Sequence, residues 1–110
     1  MFLLGHRIIV TGGSIVGGVR CNAVEAYDPE LKTWIQWAPL LTARDEHLTM
    51  TCHGKIYVVG GVPTGSTTAL ATVEVYDEKK NEWTTCRPMR EGRGYAAGAS
   101  VNGKIYVFGI

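Results

Sequence analysis

Short runs rich in valine, isoleucine, tyrosine and threonine alternate along this chain with turn clusters, and no segment keeps apolar residues at helical spacing over a helical window. The middle of the chain shows the pattern in full. A strand near 46–52 leads through a turn at His53 and Gly54 into a strand over Lys55–Val59, which Gly60 and Gly61 end. A loop covers 62–70, a third strand is predicted near 71–77, a polar turn at 78–81, and a fourth strand over 82–87 before Pro88. These elements predict an antiparallel meander of four short strands, and the fold class is all-β.

Laid over itself, the chain repeats with a period of about 49 residues. VEAYDPELKTWIQWAPL at 24–40 matches VEVYDEKKNEWTTCRPM at 73–89, pairing Glu25 with Glu74, Tyr27 with Tyr76, Asp28 with Asp77, Trp34 with Trp83 and Pro39 with Pro88. Arg44 matches Arg93, and HGKIYVVGG at 53–61 matches NGKIYVFGI at 102–110, with an earlier copy in HRIIVTGG at 6–13. The chain thus divides into a first partial unit over 1–40 holding the second to fourth strands, a complete unit over 41–89, and the start of a third over 90–110.

One sheet of four short strands cannot bury either face alone, so the units must stack, and the stacked form with this period is a β-propeller. Trp34 and Trp83 are then expected to fill the space between blades, with Tyr27 and Tyr76 placing an apolar ring there and a hydroxyl on a polar partner. The doublets Gly12-Gly13 and Gly60-Gly61 suit positive φ and a close approach of backbones. Small residues at 96–100 suit an innermost strand converging on the propeller axis.

Composition narrows the function more than the fold. A net charge of +1 with 19% charged residues lacks the basic footprint of a nucleic-acid binder or a membrane-surface patch. Cys21, Cys52 and Cys86 are odd in number with no CxxC pair, so neither a disulfide framework nor a thiolate zinc site is indicated, and a cytoplasmic setting is expected. Gly5, His6 and Arg7 interrupt the opening apolar residues too early for a signal peptide, and no run reaches transmembrane length.

The glycine doublet, the Tyr and Trp at fixed spacing after it, and the IYVVGG-type strand resemble the kelch motif, over nearly the whole chain. The resemblance implies roughly two to two and a half four-stranded blades of a kelch-type propeller. Such propellers close with about five to seven blades, so it also implies a fragment of a longer protein or self-association through open blade edges. Ile110 departs from the pattern by replacing the second glycine. The function implied is protein recognition, extending to the substrate-binding part of a ubiquitin-ligase adaptor, a role that needs a separate BTB domain. An enzymatic kelch protein of sugar-epimerase or oxidase type is the alternative.

Candidate chemistry is sparse. IIVTGGSIVGG at 8–18 is similar to the glycine-rich turn of nucleotide-binding oxidoreductases, but Val16 occupies a glycine position and strand-like sequence follows where a helix should start. His6, His47 and His53 have no ligand spacing, no copper-ligand set is present, and Cys52 beside His53 reads as a turn pair; no catalytic residue, metal or cofactor is assigned. Arg44 and Arg93 are expected at the channel mouth, where the resemblance implies a site for an acidic peptide; the other expectation is that they bridge blades through backbone carbonyls. The loops 14–22 and 62–71 differ between copies and so are candidates for specificity, with Ser14, Arg20, Thr64 and Ser66 as their polar side chains.

Overall fold

A computed structural model describes residues 2–4, 7–14 and 19–109. His6, Val16 and Ile110, which the sequence singled out, lie outside the described residues. Twelve strands follow in order: β1 (Phe2–Leu4), β2 (Arg7–Thr11), β3 (Val24–Asp28), β4 (Thr33–Trp37), β5 (Arg44–Asp45), β6 (Leu48–Cys52), β7 (Lys55–Val59), β8 (Val62–Pro63), β9 (Val73–Asp77), β10 (Glu82–Thr85), β11 (Ala97–Val101) and β12 (Lys104–Phe108). No helix long and apolar enough to cross a membrane occurs among them.

Two antiparallel sheets form the body, in the order β1-β2-β3-β4 and β10-β9-β7-β6, and β11 with β12 begins a third. The first sheet has four strands where the sequence pattern gave three. The additional strand is Phe2–Leu4, registered Phe2 to Ile9 and Leu4 to Arg7. Its brevity hid it, since three residues cannot display an alternation. Strand β6 lies beside β1 on one side and β11 on the other, which makes it the innermost strand of its sheet. The short β5–β8 pair, Arg44 to Pro63 and Asp45 to Val62, was not foreseen.

The turns repeat as faithfully as the strands. His53 and Gly54 carry φ of 52° and 73°, and Asn102 and Gly103 carry 50° and 77°. Two successive residues at positive φ form the turn whose twist matches paired strands, which closes β6–β7 and β11–β12 with two residues each. Lys32 and Asn81, at 53° and 52°, occupy one position in the β3–β4 and β9–β10 turns.

Alternation along each strand decides which face meets the neighbouring sheet. Ile9, Val24 and Ala26 of the first sheet pack with Ile56, Val58, Tyr76 and Trp83 of the second, with Leu40 in the connection between them, and Trp37 and Ala38 at the margin. The core is therefore a seam between two sheets. Trp37 stacks on Tyr76 with ring centroids 4.9 Å apart, and Trp83 donates its indole N–H to the Ala38 carbonyl at 2.8 Å. The side chain of Asn81 accepts from both the Tyr76 hydroxyl (2.6 Å) and the Ala38 amide (2.9 Å), tying a turn of one sheet to the connection leaving the other. Arg7 adds an ion pair to Glu78 at 3.1 Å and lies over the Trp37 ring.

Trp34 behaves differently from its repeat partner. Trp83 is 5% exposed in the seam, whereas Trp34 is 48% exposed and tilts against Tyr27 at 5.2 Å. The expectation that both fill an inter-sheet space is corrected for Trp34: among the described residues no sheet covers its face.

Candidate binding face

One end of the stacked sheets gathers the segments that the sequence nominated. Strand β2 ends there, β3 begins after the loop 14–22, β7 runs into the loop 62–71, and the approaches to β6 and β11 complete the rim. Glycine geometry fixes how closely these segments meet. A Cβ on Gly12 would lie 2.6 Å from the Arg44 carbonyl oxygen, and one on Gly61 would lie 2.5 Å from that of Asp45; Gly61 also has φ of 90°. A side chain at Gly12 would push the first sheet from the second, and one at Gly61 would push the end of β7 from the segment leading into β6 of the same sheet.

The two variable loops touch. The Arg20 amide donates to the Thr64 hydroxyl at 2.8 Å, and that hydroxyl lies 3.5 Å from the Arg20 carbonyl. Ser14 pairs with Arg20 in an antiparallel bridge across its own loop. Ser66 serves its own loop instead, accepting from the Thr68 amide at 3.0 Å. Of the four polar loop residues, the structure brings Ser14, Arg20 and Thr64 together and leaves Ser66 apart.

Arg44 does not stand at an open mouth. It is fully buried and donates to the carbonyls of Gly60 (2.8 Å) and Thr72 (3.2 Å), to the Thr72 hydroxyl (3.2 Å) and to Glu74 Oε2 (2.6 Å). Glu74, 1% exposed, also accepts from the amides of Leu41 (2.7 Å) and Thr42 (3.2 Å). Burial lowers the Arg44 pKa while Glu74 raises it, and a guanidinium at this distance from a carboxylate stays charged. The main chain of Arg44 meanwhile accepts from the Gly13 amide (2.9 Å) and donates to the Cys21 carbonyl (3.2 Å), reaching the first sheet. Arg44 is thus a clamp between sheets, and its assignment as a peptide ligand is corrected: no donor of the fork faces solvent.

Arg93 repeats the main-chain part, with its carbonyl taking the Gly61 amide at 2.8 Å and its amide giving to Leu70 at 3.1 Å. Its side chain donates to the Gly109 carbonyl and to Glu91 at 3.3 Å, and remains 29% exposed. This arginine keeps access to the rim.

Sequence reasoning missed two polar residues here, Glu46 and Tyr95, and gave a third, His47, no role beyond a rejected metal ligand. His47 Nε2 is hydrogen-bonded to the Thr11 hydroxyl at 2.7 Å, and Thr11 reaches Thr49 at 3.0 Å, a side-chain link between the first two sheets. Burial, then the Arg44 charge, pushes the His47 pKa down to about 4. Glu46 and Tyr95 hold one repeat position, both at positive φ (59° and 52°), and are joined by two hydrogen bonds, Tyr95 N–H to the Glu46 carbonyl at 2.9 Å and the phenol to Glu46 Oε1 at 2.7 Å. The side chains differ, so the self-comparison gave no signal for either. The cysteines are free thiols, and among the described residues no cluster of histidine, cysteine and carboxylates is arranged to hold a metal.

A family profile described as Kelch motif matches residues 3–40 and 43–90, most of the chain and both body sheets. The chain belongs to the kelch family. Its architecture is a partial kelch-type β-propeller, with the two sheets as blades and β11–β12 opening a third. Curated relatives include human Kelch-like protein 6, 38% identical over 66 residues, which are 54% of this chain and 11% of that protein. Kelch-like protein 21 of Danio rerio is 38% identical over 61 residues, 56% of this chain and 10% of the relative. The kelch chain spans about a tenth of the length of these relatives. Among solved structures, a fungal alcohol oxidase of the AA5 family in complex with copper superposes with a TM-score of 0.78 over 92% of this chain and 24% of its own, at 19% identity, a likeness of fold alone.

Proposed function

We propose that this kelch chain is part of a protein-recognition scaffold whose contact surface is the rim built from the loops 14–22 and 62–71 and the approach to β11. The observation that carries the reading is the Arg20–Thr64 contact: segments that differ in sequence from blade to blade are held side by side on a stacked framework. The partner is a protein in a reducing, cytoplasmic setting. Its motif is acidic where it meets Arg93 and Arg20, and Arg44 contributes only by holding the rim in place. Within a longer protein, the same surface serves as the substrate-binding portion of a ubiquitin-ligase adaptor. Self-association belongs to a different surface, the uncovered face of the first sheet bearing Trp34, which is 48% exposed.

The test is peptide binding by fluorescence polarisation with acidic, scrambled-charge and basic peptide sets. Acidic peptides should bind best, and Arg93→Ala and Arg20→Ala should each weaken them about tenfold, the loss of one charge-assisted contact. Equal binding of all three sets, or binding indifferent to both variants, would overturn the acidic-motif reading. The oxidase or epimerase alternative rests on fold likeness, and copper analysis and turnover assays on the same sample would reveal it.

A further inference from the structure

Arg93 makes half of the clamp that Arg44 makes in full. The Arg44 guanidinium donates to the Gly60 carbonyl at the end of β7, and then to Thr72 and Glu74 at the start of β9, the strand paired with the outer edge of β7. The Arg93 guanidinium donates to the Gly109 carbonyl at the end of β12, the repeat position of Gly60. Its second contact is Glu91, 75% exposed and 3.3 Å away, a surface pair that a better-placed carboxylate can replace. Among the described residues no strand stands to Arg93 as β9 stands to Arg44. Strand β7 is paired on both edges, by β6 and β9, and β12 on one, by β11.

The space beside that edge suits the side chains of a strand. Ile105 and Val107 of β12 line a cavity of about 250 Å³ whose other wall includes Tyr57, Val59, Val73 and Cys86 of the second blade. The same two residues, with Met89 and Arg93, line an adjoining cavity of about 430 Å³. At the matching place in the first seam, Ile56 and Val58 of β7 pair with Tyr76 and Glu74 of β9, and Tyr76 packs there with Trp83 of β10. A strand on β12 in the same register sets a glutamate against Val107, where Arg93 meets it as Arg44 meets Glu74, and an aromatic ring against Ile105. Strand β12 also has none of the devices that blunt an open edge: it holds no proline, and its one charge, Lys104, recurs as Lys55 in the doubly paired β7.

We propose that β12 takes up an extended segment of a partner protein as a further antiparallel strand, the segment carrying a glutamate for Arg93 and, two positions on, an aromatic residue for the cavity against the second blade. Backbone bonds along β12 supply affinity, and the two side chains set the register. The bond from guanidinium to carboxylate is charge-assisted and leaves water as the strand seats, so it selects glutamate over glutamine. The inference rests on the acidic-motif reading at Arg93 and gives that motif a backbone conformation and a second anchor, while needing neither Arg20 nor the variable loops.

The probe is a synthetic peptide copying residues 71–85, ATVEVYDEKKNEWTT, titrated calorimetrically into the whole chain, with amide exchange measured on the complex. It should bind at least about tenfold more tightly than a scrambled peptide of the same composition, and the peptide bearing Glu74→Gln should bind about tenfold more weakly than the faithful copy. Towards the Arg93→Gln chain these last two peptides should bind alike, a coupling that mere loss of folding would not produce. Protection of the β12 amides should rise at least about tenfold on binding, and should rise equally in Arg20→Ala. Equal binding of ordered and scrambled peptides, a Glu74→Gln effect that persists in Arg93→Gln, or β12 protection that stays unchanged or rises only with Arg20 present would each overturn the proposal. Acidic peptides that bind through Arg20 and Arg93 while the copied peptide leaves β12 unprotected would sink strand addition and leave the rim reading standing. Strand binding indifferent to Arg20→Ala, with no general preference for acidic peptides, would do the reverse.

Discussion

Arg44 and Glu74 show what burial does to a charged pair. Each is expensive to remove from water alone, and here six hydrogen bonds with neighbouring groups, four given by Arg44 and two taken by Glu74, and one short ion pair satisfy them together. Deleting one partner leaves the other charged in a dry site. Arg44→Ala is expected to lower stability by about 3–5 kcal/mol, read from the urea midpoint, and the double change Arg44→Met with Glu74→Leu to recover much of that loss. A double variant as unstable as the single one would show that the hydrogen bonds to Gly60 and Thr72 matter more than the charge pair. His47 gives the pH dependence. Its folded pKa of about 4 lies below the ordinary 6.5, so between those values the unfolded chain binds a proton that the folded chain refuses. The contribution is complete above about pH 6.5, declines as pH falls, and is lost once pH passes about 4; its size is on the order of 3 kcal/mol. Urea midpoints from pH 7.5 to 4.5 should therefore fall more steeply for the native chain than for His47→Gln.

Trp34 and Trp83 occupy the same strand position in β4 and β10, but only one of the two strands has a sheet against it. Trp83→Ala removes an indole from the seam and its N–H from the Ala38 carbonyl, and is expected to cost about 3–5 kcal/mol. Trp34→Ala should cost less than about 1 kcal/mol, since the ring is half in water and a surface substitution rarely matters more. Thermal melts of the two variants check the contrast, and equal costs would mean that the Trp34 face is covered in solution. The same pair explains what was legible in the sequence. Strand order, hairpin turns and the stacking of units follow from period and alternation, because those patterns are local and occur more than once. Exposure is not local. Repeat matching gives Trp34 and Trp83, or Arg44 and Arg93, identical standing, while the packed structure distinguishes them by what lies on the next blade. Glu74 was visible as a carboxylate between two valines at a repeated position, a signal of a buried partner that went unused. Glu46 and Tyr95 could be found only from backbone φ, since their residue types share nothing.

At the scale of the molecule, burial is concentrated in the seam between the first two blades. Every residue of β11 is exposed, and β12 only alternates between exposed and half-buried, whereas Ile56 and Val58 of β7 and Tyr76 of β9 are buried. Repeat proteins draw their stability from neighbour interfaces, so strands with one neighbour should open before strands with two. Among the described residues, ties holding β11–β12 to the second blade include the Tyr95–Glu46 pair, the Arg93 main-chain bonds, and the packing of Leu48 where a Cβ on Gly98 would stand 2.6 Å away. Gly98→Val would displace Leu48 and cut the last of these. Native-state amide exchange should show β7 and β9 opening only with global unfolding, and β11–β12 exchanging at least about a hundredfold faster, a gap of roughly 2.7 kcal/mol or more. In Gly98→Val that gap should widen while β7 and β9 keep their rates. If all strands instead exchanged together, the third blade would be cooperative with the seam, and the rim between the second and third blades would be as rigid as the rim between the first and second. A loosely held β11–β12 gives the rim a movable side at Arg93 and Tyr95 and a fixed side at Arg20 and Thr64, so a partner that bridges the two sides would raise the protection of β11–β12 on binding.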